Sequence, residues 1–269
     1  LFVGKFRWKL VKDTHAQFKF CKEQNVLKLF FNTFYLLLDR ISKTLIIKKS
    51  EDKVRGGEQA YTEITINIVR PKWSREMKLK SWAKGTNYSM ILISAPARDK
   101  GSVFLKADKQ VWSYIPKFNR VTKLPPAAMS QSWMGTDLTN DDLVKESSKV
   151  DDFKYNLLKD TLLDSLMCYQ IELIPNEGTN IIWGKIKLYI DKKDFITLRS
   201  ENYDEEGELV NVLNASEVKV MSGIKIATKL EMIPLGKKGN KTIMKIDKLD
   251  TSQKLNGSFF TKQNMQRVK

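Results

Sequence analysis

From Thr62 onward the sequence alternates, and a chain that alternates with period two for most of its length has few ways to fold. In TEITINIVRP the residues Ile64, Ile66 and Ile68 fall on one side, with Thr65 and Asn67 on the other. That is the pattern of a strand with one buried face. KWSREMKLKSWAKG continues it, setting Trp73, Met77 and Leu79 against Glu76, Lys78 and Lys80. NYSMILISAP, GSVFLKAD, QVWSYIP and RVTKL follow as short strands punctuated by Gly and Pro. After an interruption the pattern resumes in LMCYQIELIP, IIWGKIKLYIDKKD, FITLRSENYD, ELVNVLNASEVKV, GIKIATKLEMIPL and KTIMKIDKLD. The segments DEEG at 204–207 and GKKGN at 236–240 read as turns. The pattern predicts roughly ten or eleven antiparallel strands in uninterrupted order. No βαβ alternation, glycine-rich phosphate loop or internal repeat intervenes. A long sheet with one wet face must curl around its apolar face or be covered. The expected fold class is therefore mainly β with a few helices, built on a curved antiparallel sheet.

What precedes the strands is different in kind. SKTLIIKKSEDKVRGG, Ser42 to Gly57, reads as a helix with an apolar Leu45-Ile46-Ile47 patch and a double glycine where it stops. Upstream, residues 26–38 (VLKLFFNTFYLLL) form the most apolar run in the chain. It is too short for a bilayer, which needs about 20 residues, and has the length of a signal-peptide core. No small-x-small cleavage site follows before Asp39 and Arg40. Residues 1–44 are thus expected to be a degenerate or extended export signal, the alternative being an N-terminal amphipathic helix. Residues 45–269 are expected to form a single domain.

The charge balance, 47 Lys+Arg against 31 Asp+Glu for a net +16, invites an acidic partner: nucleic acid, an anionic membrane or an acidic protein surface. The cations are dispersed along strands, with no basic arm, and the aromatics lie on apolar faces rather than among exposed lysines. Both points argue against nucleic acid. His15 is the one histidine, and Cys21 and Cys168 are the two cysteines. That set leaves a zinc site without ligands and a nucleophile–base pair without a base, unless His15 supplies one. Cys168 lies within an apolar strand and reads as a core cysteine rather than half of a disulfide. No cofactor, metal or catalytic residue is expected.

The interruption, LPPAAMSQSWMGTDLTNDDLVKESS, holds the one cluster that invites a chemical reading: Asp137, Asp141 and Asp142 beside Trp133, Met134 and Gly135. Paired carboxylates do acid–base work only at a defined separation, and side chains at i and i+1 of a helix do not face each other. Thr139-Asn140-Asp141-Asp142 is better explained as a helix start, with a cap at Thr139 or Asn140 and negative charge at the positive end of the helix dipole. Trp133, Met134 and Leu138 then form the apolar part of a flap, with Gly135 as its hinge. DEEG reads in the same way as an acidic turn, lacking the ordered spacing of a calcium loop.

The strands offer large, soft or flat side chains on their apolar faces: Trp73, Met77, Leu79, Met90, Leu92, Phe104, Trp112 and Tyr114. Such residues suit a cavity for an acyl chain, and on the residues alone a packed β-core is the commoner use of such faces. The run QVWSYIPKFNRVTKLPPAAMSQSWMGTDLTNDDL, with DKVRGG, TINIVRPKW and ISAPARDKGSVFLK before it, resembles the LolA-like outer-membrane lipoprotein-sorting proteins. The resemblance covers roughly residues 45 to 250. It implies an unclosed β-barrel (the LolA/LolB-like fold) around helices, a periplasmic, Gram-negative setting, and a lid or plug at Ser130–Leu143. It raises the cavity reading above the plain core, with the eight side chains as the hydrophobic site and Trp133, Met134, Gly135 and Leu138 as the lid. The implied partners are lipid or lipoprotein acyl chains, an envelope transporter or outer-membrane receptor, and a transient membrane contact. A non-catalytic envelope adaptor, docking by its basic surface with a filled barrel, is the rival expectation.

Overall fold

The computed structural model describes residues 43–269, apart from 54, 109, 143–148 and 180. The apolar run 26–38, His15 and Cys21 lie outside the described residues. Leu45–Lys269 forms one compact unit.

Among the described residues fourteen strands, against the roughly ten or eleven expected, build one antiparallel sheet. The first six are β1 (Gln59–Arg70), β2 (Trp73–Lys84), β3 (Tyr88–Ala95), β4 (Val103–Ala107), β5 (Gln110–Ile115) and β6 (Arg120–Lys123). The other eight are β7 (Phe153–Leu157), β8 (Thr161–Leu163), β9 (Leu166–Pro175), β10 (Lys185–Asp191), β11 (Thr197–Tyr203), β12 (Leu209–Met221), β13 (Ile224–Pro234) and β14 (Lys241–Asp250). Their order is β6-β5-β4-β3-β2-β1-β14-β13-β12-β11-β10-β9-β7, with β8 on the side of β9. The chain starts mid-sheet and walks outward to one edge at β6. It then crosses to the far edge at β7 and walks back until β14 pairs with β1. The two edges do not pair, so the sheet is open. Two strands escape the alternation: β8 is too short to show a period, and β7 is five residues directly after an aperiodic stretch.

Alternation places side chains on two faces. Cross-strand pairs Ile66↔Met77, Leu79↔Ile93 and Ile91↔Phe104 define an inner face on one half. Leu188↔Ser200 and Ile171↔Leu188 continue it on the other half. Helix α1, residues 43–53, covers that second half: Ile47 is fully buried and Ile46 nearly so, among Ile171, Leu173, Trp183 and Leu188. Each such side chain contributes about 2 kcal/mol by leaving water. The helix stops where the double glycine predicts. Gly56 takes φ of 74°, and a Cβ there would lie 2.7 Å from Leu249 Cδ1.

The outer face of β1–β5 is covered by the C-terminal segment. Leu255, Phe260 and the Met265 of α2 (Lys262–Met265) bury against Tyr61, Trp82, Met90, Leu92 and Leu105. Its backbone is pinned by Leu255 N–H donating to Gln59 Oε1 at 2.6 Å, and by Lys84 Nζ donating to Leu255 O at 3.0 Å. Thr261 Oγ1 caps α2 by accepting from Asn264 N–H at 3.3 Å. Among the described residues no helix is long and apolar enough to cross a membrane.

Candidate functional site

After β6, residues 128–138 pack on the inner face and belong to the cluster that the sequence singles out. Pro125 and Pro126 end the strand pattern by removing N–H donors, and a 3-10 turn over Pro126–Ala128 buries Ala128 and Met129. The chain then closes a compact loop. Ser132 and Thr139 form an isolated bridge, Trp133 N–H donates to Leu138 O at 2.8 Å, and Thr136 N–H donates to Trp133 O at 2.9 Å. Met134 and Gly135 both have positive φ, 51° and 79°, as the two central residues of a tight reversing turn. Gly135, expected as a hinge, is a turn position inside a bonded loop.

This loop drives Trp133 into the inner face. The indole is 1% exposed and packs on Phe104 with ring centroids 5.5 Å apart. Around it lie Ile66, Ile68, Met77, Ile93, Leu138 and Met244. The plug fills the face: Met77, Ile66 and Ile93 are wholly buried beneath it.

Polar groups at the end of the sheet latch the plug. Arg70 Nη1 meets Asp137 Oδ2 at 2.9 Å, and Arg70 Nη2 donates to Gly135 O at 3.0 Å. Thr242, fully buried on β14, donates its hydroxyl to Asp137 Oδ2 at 2.7 Å and accepts from Asp137 N–H at 2.9 Å. Arg75 donates to Met134 O. Burial holds the Arg75 guanidinium below its usual pKa, assisted by Arg98 and Arg70 and opposed by Asp99.

Asp142 is held within the loop as well. Asp142 N–H donates to Thr139 Oγ1 at 3.1 Å, while Asp142 Oδ2 accepts from Thr139 N–H and Oγ1 at 2.9 and 2.8 Å. This reciprocal pair is a capping box, so the helical start is capped at Thr139; the rest of the expected DDLVKE helix lies outside the described residues. Asp142 Oδ1 also accepts from Trp183 Nε1 at 3.3 Å, tying the plug to the core of the second half. Burial raises the Asp142 pKa above the ordinary carboxylate range, against these hydrogen bonds. A carboxyl raised by folding stabilises fully below its unfolded pKa, and that contribution is lost as pH rises through the folded pKa. Asp142→Asn should accordingly flatten the pH dependence of unfolding above the ordinary carboxylate range. Urea titrations of both proteins across that window check this; parallel curves would remove Asp142 as the titrating group.

The eight strand residues grouped for one cavity do not share one. Met77, Leu79 and Phe104 lie on the inner face under the plug, with Trp73 on the same side at the end of the sheet, 52% exposed and beneath the Arg70 guanidinium. Met90, Leu92, Trp112 and Tyr114 belong to the outer face with the C-terminal segment. The register gives the reason: Trp82↔Met90, Met90↔Leu105 and Leu105↔Trp112 are opposite pairs, out of phase with Leu79↔Ile93. An open groove of about 380 Å³ lies there, lined by Leu105, Ala107, Trp112, Phe260 and Lys262, whose ammonium sits 5.1 Å from the Trp112 ring centre. Of the lid residues, Trp133 and Leu138 are buried and Met134 packs partly against them, as part of one unit. Cys168 is free and buried. Among the described residues no cluster of His, Cys, Asp and Glu is arranged to hold a metal ion.

Arg70, Arg75 and Thr242 are the latching side chains that sequence reasoning misses. The signal was there: Arg70 and Arg75 stand in phase with Ile68 and Met77, on the side that should be apolar. A charge at an inward position needs a partner.

A family model described as "Uncharacterized protein" matches residues 85–267. No curated protein matches the chain. Among solved structures, a DUF1329 family protein from Desulfovibrio piger is similar with a TM-score of 0.76 and 23% identity, covering 84% of this chain and 98% of that one. A putative outer membrane lipoprotein-sorting protein domain from Vibrio parahaemolyticus gives 0.73 and 19%, covering 82% and 98%. A LolA superfamily protein from Nitrosomonas europaea gives 0.71 and 19%, covering 81% and 96%.

Proposed function

Since this chain belongs to the family whose model spans residues 85–267 and has the LolA-like open-barrel fold, we propose that it is a non-catalytic envelope carrier. In this reading it takes acyl chains of lipoproteins or other lipids onto its inner face and moves them through the periplasm towards the outer membrane. One observation carries the reading: an apolar face on an open sheet is filled by a segment held at its rim by an ionic latch, rather than by a strand. A plug of that construction leaves by breaking a few polar contacts, and the side chains it uncovers are apolar. Each methylene of a guest chain then recovers about 0.8 kcal/mol, offsetting the packing lost with Trp133. The guest binds the open state and shifts the population towards it.

The completeness of the packing around Trp133 and Met77 favours a second reading, an adaptor whose barrel stays filled and whose basic surface docks on an envelope complex. Native mass spectrometry of the protein taken from its own envelope fraction, with organic extraction, separates the two. Stoichiometric lipid or acylated peptide supports the carrier and names its cargo. An empty chain, under conditions that keep lipid on a control carrier, sinks it in favour of the adaptor.

A further inference from the structure

At one end of the sheet the turns follow one another in strand order: 116–119, 96–102, 71–72, 235–240, 204–208 and 176–184. They make a row of turns along that end, a rim in which three neighbouring pairs approach closely. A Cβ on Gly101 would lie 3.0 Å from Pro116 Cγ, one on Gly239 3.2 Å from Pro71 Cγ, and one on Gly184 2.3 Å from Asp204 O.

The rim is divided by charge. At its outer turn Ile115 and Phe118 are exposed, Phe118 to 66%, between exposed Lys117 and Arg120. The next turn exposes Arg98 and Lys100; its one acid, Asp99, is taken up by Arg98 at 3.0 Å and Arg75 at 4.0 Å. Then come Lys72 and the half-exposed Trp73, and after them Leu235, 51% exposed, before Lys237 and Lys238. The last two turns reverse the sign: Asp204, Glu205, Glu206 and Glu208, then Glu177, with no cation among their described residues.

A protein-binding patch gathers its apolar residues into one core inside a polar rim. Here the large exposed apolar side chains are spread over three turns and their strand ends (Ile115 and Phe118, Trp73, Leu235), each beside cations. That arrangement suits the surface of a bilayer, where aromatic and aliphatic tips enter the interface and cations meet lipid phosphates. We propose that the basic half of this rim docks on an anionic bilayer, the acidic half facing away from it. The latch formed by Arg70, Arg75 and Asp137 lies at the same half, so docking brings the mouth of the inner face to the membrane. This deepens the carrier reading and rests on it.

The test is co-sedimentation of the full chain with vesicles of phosphatidylcholine, alone or mixed with phosphatidylglycerol. Expected is binding to the mixed vesicles only, weakened by salt and by about fivefold for each cation removed in Lys72→Gln, Lys117→Gln and Arg120→Gln. Phe118→Ser combined with Leu235→Ser should weaken it further, while Glu205→Gln with Glu206→Gln leaves it unchanged. All these positions are exposed, and matching thermal unfolding confirms that the variants fold. Rim variants that bind like the parent place membrane affinity elsewhere in the chain and overturn the proposal. So do equal binding to both vesicles, and binding to an immobilised acidic polypeptide but not to vesicles. Lipid held by the purified protein is read separately. A chain that carries lipid yet ignores vesicles loses only the docking surface; one that docks by this rim without ever carrying lipid loses only the carrier reading.

Discussion

Replacing Arg70 with alanine is expected to cost about 3–5 kcal/mol of unfolding free energy, the usual penalty when one member of a buried ion pair is removed. The Arg70 and Asp137 side chains are 13% and 3% exposed, so water cannot replace the guanidinium at the carboxylate. Asp137 would keep the Thr242 hydroxyl, while Gly135 O would lose the donor that Arg70 supplies. The cost can be met in two ways, and the measurement distinguishes them. A sheet that melts with its plug shows a lower urea midpoint at unchanged slope. A plug that opens locally shows faster hydrogen exchange at the amides of Trp133, Thr136 and Asp137, with the strands still protected. The carrier reading requires the second. Restoring neutrality with Arg70→Met and Asp137→Leu together should recover most of the loss, because the desolvated charge goes with its partner. Arg70→Ala that unfolds like the parent, its plug amides still protected, would remove the latch from the account.

How much of this was legible in the sequence depends on whether one face or two were buried. Strand β1 could be read directly over Ile64–Ile68, because these isoleucines alternate with the polar Thr65 and Asn67, past Tyr61 where the C-terminal segment packs. Strands β3 and β4 could not be put in phase. MILIS and VFLKA are apolar at consecutive positions, since Ile91 and Ile93 meet the plug while Met90 and Leu92 meet the C-terminal segment. A doubly covered strand has no period to read, and that is why Trp112 and Tyr114 were grouped with Met77. The covering segment itself, 251–268, carries no strand pattern and depends on tertiary contact for its shape. The break in the strand pattern and the cap at Thr139 followed from two prolines and a capping sequence. Its latch did not, because Thr242 lies more than a hundred residues from Asp137 and only the β1–β14 pairing brings them together.

Trp133→Ala should be as costly as any single substitution in the chain, about 3–5 kcal/mol for a buried tryptophan. The indole is the largest of the fully buried side chains, and its loss empties the space between Phe104 and the strands beneath. Trp133→Phe should cost clearly less, for two reasons. It keeps most of the ring against Phe104, and it removes an Nε1–H that is buried without an acceptor, a group that is unfavourable where it stands. The order Ala far below Phe, with Phe near the parent, is the signature of packing alone; Phe falling to the level of Ala would mean that Nε1 has a partner of consequence. A fluorescent fatty acid then turns the same pair into a functional test. If the plug and a guest compete for the inner face, the alanine variant binds the probe more tightly than the parent, because the competitor has lost its anchor while the apolar floor of Ile66, Met77 and Ile93 remains. If the barrel is permanently filled, the alanine variant loses stability and gains no affinity. Stability and affinity moving in opposite directions is thus the outcome that only an exchangeable plug produces.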